Sequence, residues 1–152
     1  MGILVGVVIV GIMLAAVSRM WVFAEQRDRE NRLLDVGHEM RWAIAAYYAH
    51  VHHYPLSLED LLGDPESTLP RRYLRRVYAD PVTGTPDWEL LLAPGEAGIM
   101  GVASKSKLIP IKRARFSPVD ATFEDADCYC SWQFVYVPRH SYRSNAPASP
   151  TR

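Results

Sequence analysis

Proline is missing from the first third of this chain. None of its 11 prolines precedes Pro55, and a proline inside a helix removes a backbone donor and collides with the preceding turn. Residues 1–54 are therefore free to run as one helix, whereas the remainder must turn often. Charge is missing as well, from Met1 through Ser18. Over the whole chain 17 basic and 17 acidic residues cancel, so no net field recruits nucleic acid or another polyanion. Lysine is scarce, 3 against 14 arginines, a ratio we assign to genome composition and not to phosphate binding. There is no Ser/His/Asp elbow, no phosphate-binding loop and no H-E-x-x-H helix, so no catalytic constellation is legible and the chain does not read as an enzyme. An enzyme with a scattered active site would need a polar cluster in a pocket of the C-terminal part.

What stands in place of charge is an apolar run, GILVGVVIVGIMLAAV, from Gly2 to Val17. Arg19 is the first charge, and Trp21 and Phe23 follow it. About 20 helical residues cross about 30 Å of hydrocarbon. Residues 1–24 therefore suffice as a transmembrane helix, with Arg19 reaching back to the interface and Trp21 at the boundary. A cleaved signal peptide would carry a basic start and an Ala-x-Ala-like exit; the basic start is absent, and Arg19 with Trp21 makes a poor cleavage site. A buried soluble helix that is apolar on every face needs a larger core than 152 residues supply. Gly2 and Gly6 stand at the spacing of a transmembrane helix-packing pair. Every nearby arginine follows the run, so the positive-inside rule, read alone, leaves the C-terminal part in the cytoplasm.

Residues 25–32, EQRDRENR, mix both signs and read as a solvated helix. From there to residue 53 a helical period appears. Leu33, Gly37, Met40, Ile44, Tyr47, Tyr48 and Val51 fall within one arc of roughly 100°, while Asp35, His38, Glu39 and His53 project elsewhere. Trp42 lies almost opposite the centre of that arc. It is either covered by a loop or a contact to a neighbouring subunit.

Residues 54–138 read as a small sheet domain. Tyr54-Pro55 ends the long helix, and Ser57 to Asp60 has the form of a capping box opening a short helix that closes at Gly63. Pro65 to Arg72 is loop, and Arg71 to Tyr78 a short turn or strand. Strands are expected at Trp88 to Ala93 and Gly98 to Ser104, joined by Pro94-Gly95-Glu96-Ala97, and at Ile109 to Ala114 and Trp132 to Val137. One face of an antiparallel sheet against the long helix makes an α+β unit. Residues 139–152 are polar and expected to be disordered.

Two clusters carry ligand-type side chains. His50, His52 and His53, with Cys128 and Cys130, are zinc-type donors, but Cys-x-Cys is not the usual zinc spacing. We read the histidines as a solvated helix end. A bond between Cys128 and Cys130 is not expected at that spacing; they read as small strand residues on one face, or as partners between chains in an oxidising compartment. Asp120, Glu124, Asp125 and Asp127 offer hard oxygens suited to calcium, without the spacing of a calcium-binding loop. Solvated carboxylates are the default, and no cofactor is expected.

In their order along the chain these features resemble the type IV pilin and pseudopilin family. Val10 to Ala16 looks like that family's apolar stretch around a central glycine, here Gly11. Tyr54-Pro55-x-Ser57-Leu58-Glu59-Asp60-Leu61-Leu62 is similar to the Y-P-x-S-L-x-x-L that follows the long helix in secretion pseudopilins. Tyr78-Ala79-Asp80-Pro81-Val82-Thr83-Gly84 is similar to their D-P-x-x-G turn, and Ser131 to Tyr136 to their closing strand. The resemblance implies a pilin-like fold: a long N-terminal helix, transmembrane in its lower half and amphipathic in its upper half, packed on a small antiparallel sheet. It also implies a structural subunit of a type II secretion filament in the bacterial inner membrane, single-pass, with its domain in the periplasm. The implied partners are other pilin-like subunits, the inner-membrane assembly machinery and lipid. Family members begin with a basic leader and carry a glutamate near the start of the mature chain; Gly2 occupies the glutamate position when Gly11 is aligned. The expectation is a start codon upstream, whose basic leader would also hold the N-terminus in the cytoplasm. A membrane-tethered module that never polymerises is the alternative.

Overall fold

A computed structural model describes residues 2–63, 71–95 and 97–138, with the side chains of 2–6 and 8–20 excepted. The first element is a single helix, α1, over Gly2–Val51. Its 50 residues span about 75 Å at about 1.5 Å each. Unbroken length follows from the missing prolines. The helix ends when His52 takes a left-handed conformation, φ 63°, and donates its amide to the Tyr48 carbonyl at 2.8 Å. A non-glycine residue thus performs the stop, two residues before the Tyr54-Pro55 pair.

Three strands follow, β1 (Glu89–Leu92), β2 (Ile99–Ala103) and β3 (Gln133–Val135), forming an antiparallel sheet in the order β1-β2-β3. The fold is α+β, a long helix with a small antiparallel sheet. Leu90 faces Val102 across the first pair, and Val102 faces Phe134 across the second. The β1–β2 connection turns at Gly95, φ 79°, a conformation glycine adopts without penalty. Between β2 and β3 the chain makes irregular loops and two 3-10 turns, Pro118–Phe123 and Tyr129–Ser131.

The core lies between one face of α1 and this sheet. Leu33, Met40, Ile44 and Tyr47 are buried on the helix side and Val102, Phe123, Trp132 and Phe134 opposite them. The expected arc is the buried one. Aromatic rings dominate: Phe123 stacks on Trp132 with centroids 5.5 Å apart, and Phe134 meets Phe123 edge-on at 5.1 Å. Helix and sheet come close at Gly37, where a Cβ would stand 2.4 Å from the Phe134 ring.

Several expectations are corrected. Ile109 to Ala114 is not a strand: the Ile111 and Lys112 amides point to the Glu30 carboxylate instead of a neighbouring strand. Ser57 does not cap a helix. Leu58 precedes a 3-10 turn, Glu59–Leu62, and Asp60 accepts from the Ser57 amide and hydroxyl at 2.9 Å each, half of the expected box. The Arg71 to Tyr78 stretch is neither strand nor regular turn; the Tyr73 and Leu74 amides donate to the Leu61 carbonyl. Cys128 and Cys130 are bonded to one another, because the chain enters the Tyr129–Ser131 turn between them and holds their Cα atoms 5.1 Å apart. The 64–70 part of the expected loop and the tail from residue 139 lie outside the described residues.

Candidate functional site

The domain packs on one side of α1 and leaves exposed side chains on the other. Gly2, Gly6, Gly11 and Arg19 lie on the α1 backbone, but their side chains, like those of the apolar run apart from Val7, are outside the described residues. Among the described residues no helix is long and apolar enough to cross a membrane. Trp21 is 73% exposed, and its neighbours Val22 and Phe23 are exposed as well. Trp42 is 74% exposed: among the described residues no loop covers it, and it stands on the face of α1 turned away from the sheet.

The sheet side is held by three buried carboxylates. Lowest on the rod is Glu30, 1% exposed, in the segment expected to be fully solvated. It accepts from the Ile111 amide at 2.7 Å, the Lys112 amide at 3.0 Å and the Tyr129 hydroxyl at 2.9 Å. One turn below, Gln26 Nε2 donates to the Ile109 carbonyl at 3.1 Å and to the Tyr129 hydroxyl at 3.4 Å. Burial above all pushes the pKa of the Tyr129 hydroxyl up to about 12; the Gln26 hydrogen bond opposes this, and the hydrogen bond to Glu30 and its charge add to the rise. The helix and the 109–112 loop are thus tied by neutral donors around one acid.

Asp120 makes the second tie. Its carboxylate accepts from Arg41 Nη1 at 2.7 Å and from the Ser117 hydroxyl at 2.9 Å, and bonds His38 Nε2 at 2.9 Å. Burial raises its pKa, but the hydrogen bonds from Arg41 and Ser117 and the charges of Arg41 and His38 outweigh that and leave it below the ordinary value. Asp80 is the third, and it organises the Asp80-Pro81-Val82-Thr83-Gly84 turn. One carboxylate oxygen accepts from the Val82 amide at 2.8 Å and the other from the Ser104 hydroxyl at 2.6 Å. Its main chain bonds Gly84 and Thr85, and Gly84 holds φ 77°. The Tyr78 hydroxyl, donating to Glu39 at 2.9 Å, ties this turn to α1.

The ligand-type clusters do not assemble. Among the described residues no three His, Cys, Asp or Glu side chains come together as a metal set. Asp120 faces the helix, while the Glu124 carboxylate accepts from the Arg115 amide at 3.2 Å. His53 bonds the Tyr54 carbonyl.

Sequence reasoning missed Glu30, Gln26 and the Asp120–Arg41–His38 set. Glu30 and Gln26 do carry a signal: they extend the 33–51 arc downward at helical spacing, and a carboxylate on an apolar arc is a candidate for burial. Comparison with protein-family models, with curated proteins and with solved structures finds no match for this chain.

Proposed function

We propose that this chain is a membrane-anchored pseudopilin, a structural subunit of a type II secretion filament. The observation that carries the reading is the division of α1: the C-terminal domain packs on one face from Gln26 upward, and among the described residues nothing covers Trp42 on the other. The apolar run from Gly2 to Val17 extends the same helix below the domain. A rod covered on one side only has its other side available to identical rods.

In such a filament the apolar helices would first sit in the inner membrane, where lipid accommodates a segment with no charge for 18 residues. Extraction by an energy-driven assembly machine would then bury them against one another, with the sheet domains outside. The bond between Cys128 and Cys130 supports a domain on the oxidising, periplasmic side. No chemistry is required of the subunit, whose work is mechanical.

Cysteines placed singly along residues 5–20 test the proposal. Crosslinks between copies in secreting cells, periodic along the helix, are the expected result. Crosslinks absent at every position favour the tethered, non-polymerising module.

A further inference from the structure

The segment Lys105–Arg115, reading KSKLIPIKRAR, holds all three lysines of the chain and two arginines, and no acid occurs between Glu96 and Asp120. Its apolar centre is turned outward: Leu108 is 56% exposed and Ile109 58%. This combination is unusual for a loop anchored so firmly from behind, through Ile109, Ile111 and Lys112 to Gln26 and Glu30. The anchoring fixes its height. Gln26 lies five residues above Trp21 and eight above Ser18, where the uncharged run ends, or about 7 Å and about 12 Å along the helix axis. Leu108 lines a groove together with Val22, Gln26 and the Glu25–Arg29 ion pair, so the exposed tip of the loop lies against α1 just above Trp21.

We propose that the 105–115 loop is a docking surface for an anionic phospholipid bilayer. The inference rests on the anchored reading of α1. With Trp21 at the headgroup level, the loop comes within a screening length of about 10 Å of the lipid phosphates. Lys105 is engaged by Asp87, and Lys112 lies over the Phe116 ring. Lys107, Arg113 and Arg115 are exposed and make no ion pair among the described residues. Leu108 and Ile109 enter the interface while these cations meet phosphate, the pairing of apolar tip and basic flank that an acidic membrane selects. The contact holds the domain down on the membrane before assembly, and extraction of the subunit breaks it.

The test uses the full chain in vesicles of phosphatidylcholine with and without phosphatidylglycerol. Both native cysteines are bonded, so a nitroxide on Leu108→Cys is a single probe, and its accessibility to oxygen against a water-soluble nickel chelate reports depth. The expected result is a label at the headgroup boundary in vesicles containing phosphatidylglycerol. Lys107→Glu with Arg113→Glu should return it to water, since each basic residue near the surface contributes roughly fivefold, so that the two lost cations alone account for about 25-fold and the two added carboxylates are repelled besides. A label equally deep without anionic lipid, or unmoved by the charge reversal, overturns the proposal. Protection that appears only at high protein density does so too, and assigns the patch to a neighbouring copy. A second label at Val7→Cys separates the two readings. Val7 in lipid with Leu108 in water overturns the loop inference alone; Val7 in water overturns the anchor and the inference together.

Discussion

Removing the Glu30 carboxylate should loosen the lower half of the domain from its helix. In Glu30→Ala the Ile111 amide, the Lys112 amide and the Tyr129 hydroxyl lose their acceptor at once. Each buried donor left unpaired costs about 1–3 kcal/mol. Water entering from the groove beside Val22 and Gln26 relieves part of this, which places the total at about 3–5 kcal/mol. For a domain of this size each kcal/mol lowers the melting temperature by roughly 4–8 °C, so a loss of at least about 12 °C is expected. Glu30→Gln should fall between, because its amide NH₂ would face an N–H or O–H donor. The assay is thermal unfolding of the detergent-solubilised full chain, followed by near-ultraviolet dichroism of the buried Trp132. Amide exchange at Ile111 and Lys112 reads the same loss locally. The control is Glu25→Gln, whose exposed i,i+4 pair with Arg29 is worth about 0.5 kcal/mol or less. A Glu30→Ala protein that melts with the control would refute the buried-acid tie.

Gly37→Ala should destabilise the domain despite a helix-propensity gain of about 1 kcal/mol, because the new methyl meets the enclosed Phe134 ring; a rise in melting temperature would contradict that packing. Stability should fall as pH rises from 10 toward about 12, by on the order of 2 kcal/mol, because unfolded Tyr129 ionises before folded Tyr129 does. Tyr129→Phe should remove that part of the slope, and an unchanged difference between the two proteins would argue against it. At the acid end the lowered Asp120 pKa gives stability that is present above the ordinary carboxylate value and lost as pH falls through the folded one. Asp120→Asn should flatten the acid limb of the titration, and an identical limb would count against the tie. Cys128→Ser with Cys130→Ser should cost only about 1.5 kcal/mol, since the bond closes a loop of three residues; loss of folding altogether would show a larger role.

The helix and the hairpin were readable because each rests on local chemistry. The absence of proline before Pro55 permits α1, the arc from Leu33 to Val51 selects its buried face, and Pro94-Gly95 closes β1 onto β2. What escaped is set by partners far along the chain. Glu30 is buried because donors 81 to 99 residues away surround it; its place on the arc marks it as a candidate for burial, but nothing within EQRDRENR identifies those donors. The Ile109–Ala114 stretch has the composition of a strand, yet its amides are taken by that same carboxylate. His38 belongs to the polar side of the arc by periodicity, and only the turn at Pro118 brings Asp120 to it. The Cys128–Cys130 bond depends on the turn between them, which spacing alone does not reveal.

Everything proposed for this chain depends on a rod whose lower segment belongs in lipid. Sedimentation of the purified full-length polypeptide, with detergent removed, examines that most directly. The polypeptide should aggregate, or enter added vesicles and float with them; a species that remains soluble and monodisperse without either would contradict the lipid-embedded rod.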